Sequence, residues 1–190
     1  GANNSSFGLH ALRLNTTATA NVAVGTYAGY SLTTGGSNTA IGYNSLSSED
    51  AHGGNVAVGT NTLAAQNAGA TGYNTAVGHN AGLSVTTGTN NTILGGLSGD
   101  SLTTGGANTA LGMQALNTEA AGGNSVAVGY QALYGANFDG SAYNTGVGSN
   151  AGQNTTTGTQ NTLLGGLAGN TIQAGSQNTM LGYANQASAT

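Results

Sequence analysis

The side chains that could carry out acid–base or metal chemistry are few in this sequence. The charged residues are one arginine and five acids, namely Arg13, Glu49, Asp50, Asp100, Glu119 and Asp139. The histidines are His10, His52 and His79. A metal site needs ligands that converge, whereas these histidines fall at three different positions of the repeat described below. We therefore predict solitary surface histidines and no metal site.

The carboxylates indicate no catalytic pair. Acid catalysis needs two carboxyl groups that face each other across a cleft. Glu49 and Asp50 are adjacent, and we align Glu119 with Asp50 one super-repeat later. A continuous rod offers no evident cleft, so we interpret all three as solvated turn residues.

Other catalytic and ligand-binding motifs are also missing from the sequence. The segment 95–100, G-G-L-S-G-D, is similar to the calcium-binding nonapeptide repeats, but Ser98 stands where that motif needs a glycine. No nucleophile elbow, phosphate-binding loop or dinucleotide fingerprint occurs. We predict no catalytic, cofactor-binding or metal-ligating residue, no cofactor, and a protein that is not an enzyme.

Composition excludes several further classes of protein. Only 3% of the 190 residues are charged, with a net charge of −4, against about 25% charged residues in a typical domain. A single basic residue cannot neutralise a row of phosphates, which argues against nucleic-acid binding. No apolar run approaches the roughly 20 residues that span a bilayer, so we expect no membrane insertion. The chain has no cysteine and no proline, which excludes disulfides and collagen.

A repeated unit organises the whole chain. Its first five positions read N-T/V-A-V/I/L-G, and the units start at residues 4, 21, 38, 55, 74, 91, 108, 125, 144, 161 and 178. The closing glycines are Gly8, Gly25, Gly42, Gly59, Gly78, Gly95, Gly112, Gly129, Gly148, Gly165 and Gly182. Their spacing is 17 residues except for two units of 19, which lie 70 residues apart. This indicates a higher period of four units.

The ninth position of the unit supports that higher period. It is leucine in some units and glycine in others, and the glycine units usually carry an apolar residue three positions later, as at Leu32 and Leu102. From the second unit onward the pattern repeats every four units. We infer that both kinds of side chain fill one pocket from different points on the turn.

A short period with one β-prone stretch, a fixed glycine and a polar second half is typical of a β-solenoid turn. We predict an all-β, single-stack parallel β-solenoid of about eleven turns of 17–19 residues. It forms one continuous domain over residues 1–190. The 19-residue units are expected to carry a two-residue surface bulge, at 70–73 and 140–143.

The strand is apolar on both faces, which is typical of a strand buried on both sides. We expect the fourth-position residues, such as Val24 and Ile41, to fill the inside of the coil. The third position then faces outward as a self-association column, formed by Ala23, Ala40, Ala57, Ala76, Ile93, Ala110, Ala127, Leu163 and Met180. For the asparagines at the first position, an amide ladder and a local Asx turn remain equally open.

These residues resemble known fibre repeats. Segment 124–129, N-S-V-A-V-G, is similar to the S-V-A-I-G motif in the heads of trimeric autotransporter adhesins. Segment 38–46, N-T-A-I-G-Y-N-S-L, is similar to repeats of phage tail fibres and bacterial surface fibres. The resemblance spans essentially the whole chain. It implies a left-handed β-roll, three chains side by side as a homotrimer, and an extracellular, cell-surface or virion location.

The leading functional hypothesis is a non-catalytic extracellular fibre or adhesin segment, a rigid and protease-resistant rod for attachment or display. Its partner is the chain itself, with a host-surface receptor or glycan as a further candidate. A second hypothesis is a subunit that polymerises head to tail into an extracellular filament, because both terminal units look uncapped. A third is an ice-binding solenoid, although its threonine pairs skip alternate units.

Overall fold

The computed structural model describes residues 1–69, 71–138 and 140–186. Every strand is three residues long and occupies the second to fourth positions of a repeat unit. The strands are β1 Ser5–Phe7, β2 Val22–Val24, β3 Thr39–Ile41, β4 Val56–Val58, β5 Thr75–Val77, β6 Thr92–Leu94, β7 Thr109–Leu111, β8 Val126–Val128, β9 Thr145–Val147, β10 Thr162–Leu164 and β11 Thr179–Leu181. The described residues contain no helix.

The strands form one parallel sheet in which spatial order follows chain order from β1 to β11. Pairing is in register with the repeat, so that Val22 lies beside Thr39 and Ala23 beside Ala40. The 19-residue unit keeps the same register, because Ala57 pairs with Ala76. Each unit therefore winds once round a common axis, and the predicted all-β parallel solenoid is confirmed, with about ten turns. Of the expected bulge at 70–73, Ala70 lies outside the described residues.

The inside and the outside of the coil are the reverse of what we expected. The third-position column is buried and forms the core, namely Ala23, Ala40, Ala57, Ala76, Ile93, Ala110, Ala127, Leu163 and Met180. The fourth-position side chains of the same strands are exposed, as at Val24 and Ile41, or half-buried, as at Val58. The expectation that the alanine column faces outward is therefore wrong.

The size of the interior explains this arrangement. In the units that start at residues 4 to 125, position nine or position twelve already supplies one large aliphatic side chain, so that an alanine suits the space that remains in most of them. Two successive units have glycine instead of leucine at the ninth position, namely Gly82 and Gly99. The third position of the second of these units is the larger Ile93. A Cβ built on Gly82 would lie 3.0 Å from the Ile93 Cδ1 atom, and one on Gly99 3.3 Å from it. Ile93 is thus a space-filling core residue.

The inferred pocket sharing is visible in the same core. Leu12, Leu32 and Leu46 belong to one buried cluster although they occupy different repeat positions. A Cβ built on Gly29 would lie 2.8 Å from Leu32 Cδ1 and 3.0 Å from Leu12 Cδ2. The glycine therefore leaves the room that the apolar residue three positions later fills.

Most first-position asparagines follow neither of the two patterns that were open, although an amide-to-amide bond joins Asn178 to Asn161 at 2.9 Å. The Asn21 Oδ1 atom accepts from the backbone N–H of Asn38, 2.8 Å away in the next turn. Its Nδ2 atom donates to the Gly35 carbonyl oxygen at 2.8 Å. The buried side chain thus bonds to the backbone at two points, and the pattern recurs along the column. Amide-to-amide bonds also occur at the seventh position, from Asn44 to Asn61 at 3.2 Å and from there to Asn80.

Candidate functional site

The outward face of the sheet is the main candidate surface for function. The second and fourth positions of the strands point away from the core because side chains alternate along a strand. They present valine or threonine at the second position, and valine, isoleucine or leucine at the fourth. Val22, Val24, Ile41 and Val147 are exposed, and Leu94 is 49% exposed. The structure thus leaves a column of large aliphatic side chains in contact with solvent.

The sixth position, just past the closing glycine, adds further apolar groups in some of the turns. Leu9, Tyr43, Met113 and Tyr130 are all exposed there. The sequence places no Asp, Glu, Lys or Arg at the second, fourth or sixth position of any unit. Since neighbouring strands lie about 4.8 Å apart, eleven of them make an uncharged face about 50 Å long. Extended apolar patches of this kind mark interaction surfaces.

The titratable residues are placed differently from our expectation for the acids. Glu49 is 0% exposed and Glu119 is 1% exposed, so the interpretation of both as solvated turn residues is wrong. Both occupy the twelfth position of their units, which means that Glu119 corresponds to Glu49, 70 residues earlier, and not to Asp50. The twelfth position is the one from which Leu32 and Leu102 reach the core. The repeat therefore predicts the burial of both acids, provided that Glu119 is aligned with Glu49 and not with Asp50.

Backbone donors hold the buried carboxylate of Glu119. Its Oε1 atom accepts from the Gly122 N–H at 2.6 Å. The Phe138 N–H of the next turn lies 3.2 Å from Oε1 and 3.3 Å from Oε2. Burial raises the pKa of Glu119 above its ordinary value of 4.5, and these backbone hydrogen bonds oppose the rise. Desolvation wins because no cationic group compensates the charge.

This pKa makes a pH-dependent contribution to stability. The folded chain holds the Glu119 proton more tightly than the unfolded chain, so the contribution is complete below about pH 4.5 and is lost as pH rises through the raised pKa. The variant Glu119→Gln carries no such charge at any pH. We expect the free energy of unfolding of this variant, measured in urea, to rise relative to that of the wild type when the pH is raised from 4 to 7. The gain is about 1.4 kcal/mol for each unit of pKa shift. A difference that is the same at both pH values would contradict this.

Asp100 and the remaining histidines lie apart from Glu119. Burial raises the pKa of Asp100, and the nearby His79 opposes that rise. The Arg13 guanidinium lies 2.9 Å from His10 Nδ1, and the His10 ring centroid lies 5.2 Å from that of Tyr27. The structure therefore brings no two histidines into one described metal-ligand cluster.

One cluster of candidate ligands does form within the described residues, and sequence reasoning missed it. Glu49, Asp50 and His52 each offer a ligand atom, and these atoms lie within 4.8 Å of one another. The His52 Nδ1 atom lies 3.2 Å from Glu49 Oε1. The spacing of acid, acid and histidine over four residues was the available signal. Our predictions from the sequence treat the histidines and the acids separately and therefore do not combine these three residues.

One surface groove is lined by small neutral side chains. It has a volume of about 660 Å³ and lies on another side of the coil, where Ser47, Ala64, Leu83 and Thr86 contribute to its walls. The described residues that line it include no acid, base or thiol. Small neutral side chains can bind weakly but cannot transfer a proton at neutral pH.

Within the described ranges, no helix has the length and apolar character needed to cross a membrane. The chain matches no protein-family model, no curated protein and no solved structure.

Proposed function

We propose that this protein is a non-catalytic segment of an extracellular fibre or adhesin, in which copies of the chain pack side by side through the outward face of the sheet. The observation that carries the proposal is the uncharged column of aliphatic side chains on β2 to β11, which are exposed at Ile41 and Leu94, for example, and half-buried on β4, β5, β7 and β8. Water contact is costly for such a column, at about 25 cal/mol per Å² of apolar surface. A covering partner removes that cost.

The stacking of turns supports a rigid rod. Besides the strand ladder, each buried asparagine and many threonines bond one turn to the next. The Thr33 and Thr103 hydroxyls, for example, donate to the carbonyl oxygens of Asp50 and Ala120 at 2.9 and 2.7 Å. A bend between turns would break several of these bonds together. The chain also has a single lysine or arginine, so trypsin has one site at most to attack.

Another copy of the chain is the partner that fits this face best. Its columns have the same spacing, set by the same strand separation, so that ridges and grooves can match along the full length. The absence of charge from the face removes repulsion between identical copies. A homotrimer is the assembly that the resemblance to adhesin heads implies. The extracellular, cell-surface or virion location rests on the same resemblance.

Charge placed on this face tests the proposal. The double variant Ile41→Glu/Leu94→Glu puts two carboxylates per chain into the contact, and we expect it to be monomeric while the wild type is an oligomer. Sedimentation equilibrium at micromolar concentrations measures the mass, and circular dichroism checks that the fold is kept. Leu14→Glu is the matched control, because Leu14 is 44% exposed but lies outside the second, fourth and sixth positions. This variant should assemble like the wild type.

A monomeric wild type with its face open to solvent would overturn the assembly part of the proposal. Electron microscopy of the same sample separates two forms of assembly, since side-by-side packing yields discrete short rods and end-to-end stacking yields continuous filaments. The ice-binding hypothesis gains no support, because the Thr33, Thr86, Thr103 and Thr156 hydroxyls already donate to carbonyl oxygens of the next turn.

A further inference from the structure

The carboxylate of Glu49 is buried without a full set of partners. The residue is 0% exposed, and its Oε1 atom accepts from the His52 N–H at 3.1 Å. In the described part of the chain, the buried Oε2 atom has no hydrogen-bond partner. A carboxylate oxygen that is buried without a hydrogen-bond partner is unfavourable, because the interaction with water that it loses is not replaced. Something that the protein atoms do not supply is needed to offset this cost.

At Glu119, which occupies the same repeat position, protein atoms alone supply hydrogen bonds to both carboxylate oxygens. Both of its oxygens accept a backbone N–H from the next turn, that of Phe138. The two residues that follow it at the positions of Asp50 and His52 are Ala120 and Gly122. The Glu49 turn thus lacks a partner for one oxygen and carries two extra ligand-type side chains beside it. The unpaired oxygen and the two extra ligand-type side chains are thus found in the same turn.

We propose that Glu49, Asp50 and His52 bind one divalent transition-metal ion of the zinc type. The ligand atoms lie within 4.8 Å of one another, and the 3.2 Å between His52 Nδ1 and Glu49 Oε1 is close to the about 3.3 Å that separates two ligands of a tetrahedral Zn²⁺ at 2.0–2.1 Å. Asp50 is partly exposed, so its carboxylate can rotate to complete the set. The ion would supply the positive charge that the buried carboxylate lacks.

Apart from His52, which forms an ion pair with Glu49 Oε1 only when it is protonated, the chain has few other sources for that compensation. The sequence contains no lysine, and its one arginine, Arg13, is engaged with His10 at 2.9 Å. Two carboxylates with one neutral imidazole make a ligand set of charge −2, which attracts a dication. An imidazole nitrogen favours zinc and similar ions over calcium, which takes six to eight oxygen ligands.

The cluster is open to ions from solvent on one side. His52 and Ala51 line a cavity of about 390 Å³, together with Gly53 and Tyr73. Three protein ligands leave a fourth coordination position, which a water from this cavity can take. The site therefore joins a buried ligand, Glu49, to two ligands that an entering ion can reach.

The repeat itself provides the test variant. Asp50→Ala/His52→Gly gives this turn the residues that the chain already carries at 120 and 122, so the fold is expected to survive. The full-length, metal-stripped protein is dialysed against Zn²⁺, and bound zinc is measured by atomic emission. We expect one ion per wild-type chain and a loss of affinity of more than about 100-fold in the variant, since outer-shell changes alone cost 10–100-fold.

Two controls separate this site from adventitious binding. The double variant His10→Ala/His79→Ala removes the other imidazoles and should keep one ion per chain. Glu119→Gln, at the equivalent buried position, should keep it as well. Thermal melting is the second readout, because an ion that binds only the folded chain raises the midpoint in proportion to the logarithm of its concentration. Zinc should raise the midpoint of the wild type but not that of Asp50→Ala/His52→Gly.

Equal zinc content in the wild type and in Asp50→Ala/His52→Gly would overturn the proposal, as would a wild type that binds no zinc at millimolar concentration. Calcium in place of zinc tests the choice of ion, and tighter binding of calcium would overturn it. None of these outcomes depends on whether the outward face assembles copies of the chain.

Discussion

Gly95→Ala is expected to abolish stable folding or to lower the free energy of unfolding by at least about 3 kcal/mol. Gly95 closes the β6 unit with a φ of +135°, a conformation that a residue with a Cβ rarely adopts. A Cβ at this position would also lie 2.5 Å from the Gly112 carbonyl oxygen and 2.6 Å from its carbonyl carbon in the next turn. Both atoms belong to backbone, so relief would require the turns to move apart.

The adjacent residue supplies the control for this prediction. Gly96→Ala places a Cβ in open space, with its nearest neighbour 4.0 Å away at the His79 carbonyl oxygen. We expect it to change the free energy of unfolding by no more than about 0.5 kcal/mol. Urea denaturation followed by circular dichroism measures both variants. Equal stability of the two would show that the glycine column is not a steric requirement of the stack.

Asn91→Ala is expected to cost about 3 kcal/mol of stability. The buried side chain accepts from the Asn108 N–H and donates to the Gly105 carbonyl oxygen, each at 3.0 Å. Alanine removes both bonds and leaves two buried backbone groups of adjacent turns unpaired, at about 1–3 kcal/mol each. A solenoid has only nearest-neighbour contacts between turns, so a gap in one column weakens the contact between the turns on either side.

An exposed asparagine separates the loss of these bonds from a general effect of the substitution. The side chain of Asn67 is exposed, and Asn67→Ala is expected to stay within about 0.5 kcal/mol of the wild type. Thermal and urea unfolding measure both variants. A loss in Asn91→Ala no larger than in Asn67→Ala would mean that water replaces the two bonds at little cost.

The register of the whole sheet was predictable from the sequence. The closing glycines recur with the period of one turn, and a glycine tolerates both the positive φ and the close approach of the next turn at Gly95. Leu32 and Leu46 could likewise be assigned to one pocket, because each is the only large aliphatic residue in the second half of its own turn. Local backbone chemistry and period are properties of sequence alone.

The candidate sites were less accessible to the same reasoning. The interpretation of Glu49 and Glu119 as solvated turn residues rests on the lack of an evident cleft in a continuous rod. The structure buries them because the twelfth position is buried in each unit from Leu32 to Ile172, whatever residue stands there. The hydrogen bond from Phe138 to Glu119 joins residues 19 apart in sequence, so a local motif could not reveal it.

The sequence by itself determined that the chain winds into stacked parallel turns, and where each turn begins and closes, since a repeat of backbone requirements can be satisfied in only one register. Which face of the strand lies inside was decided only by the tertiary structure. Ala40 and Ile41 are both apolar, and alternation states that they point to opposite sides without stating which side is the core. The choice falls to volume, because a turn whose interior holds a ninth-position leucine such as Leu46 has room left for an alanine. The larger third-position residues Ile93 and Leu163 stand in units whose ninth residue is glycine.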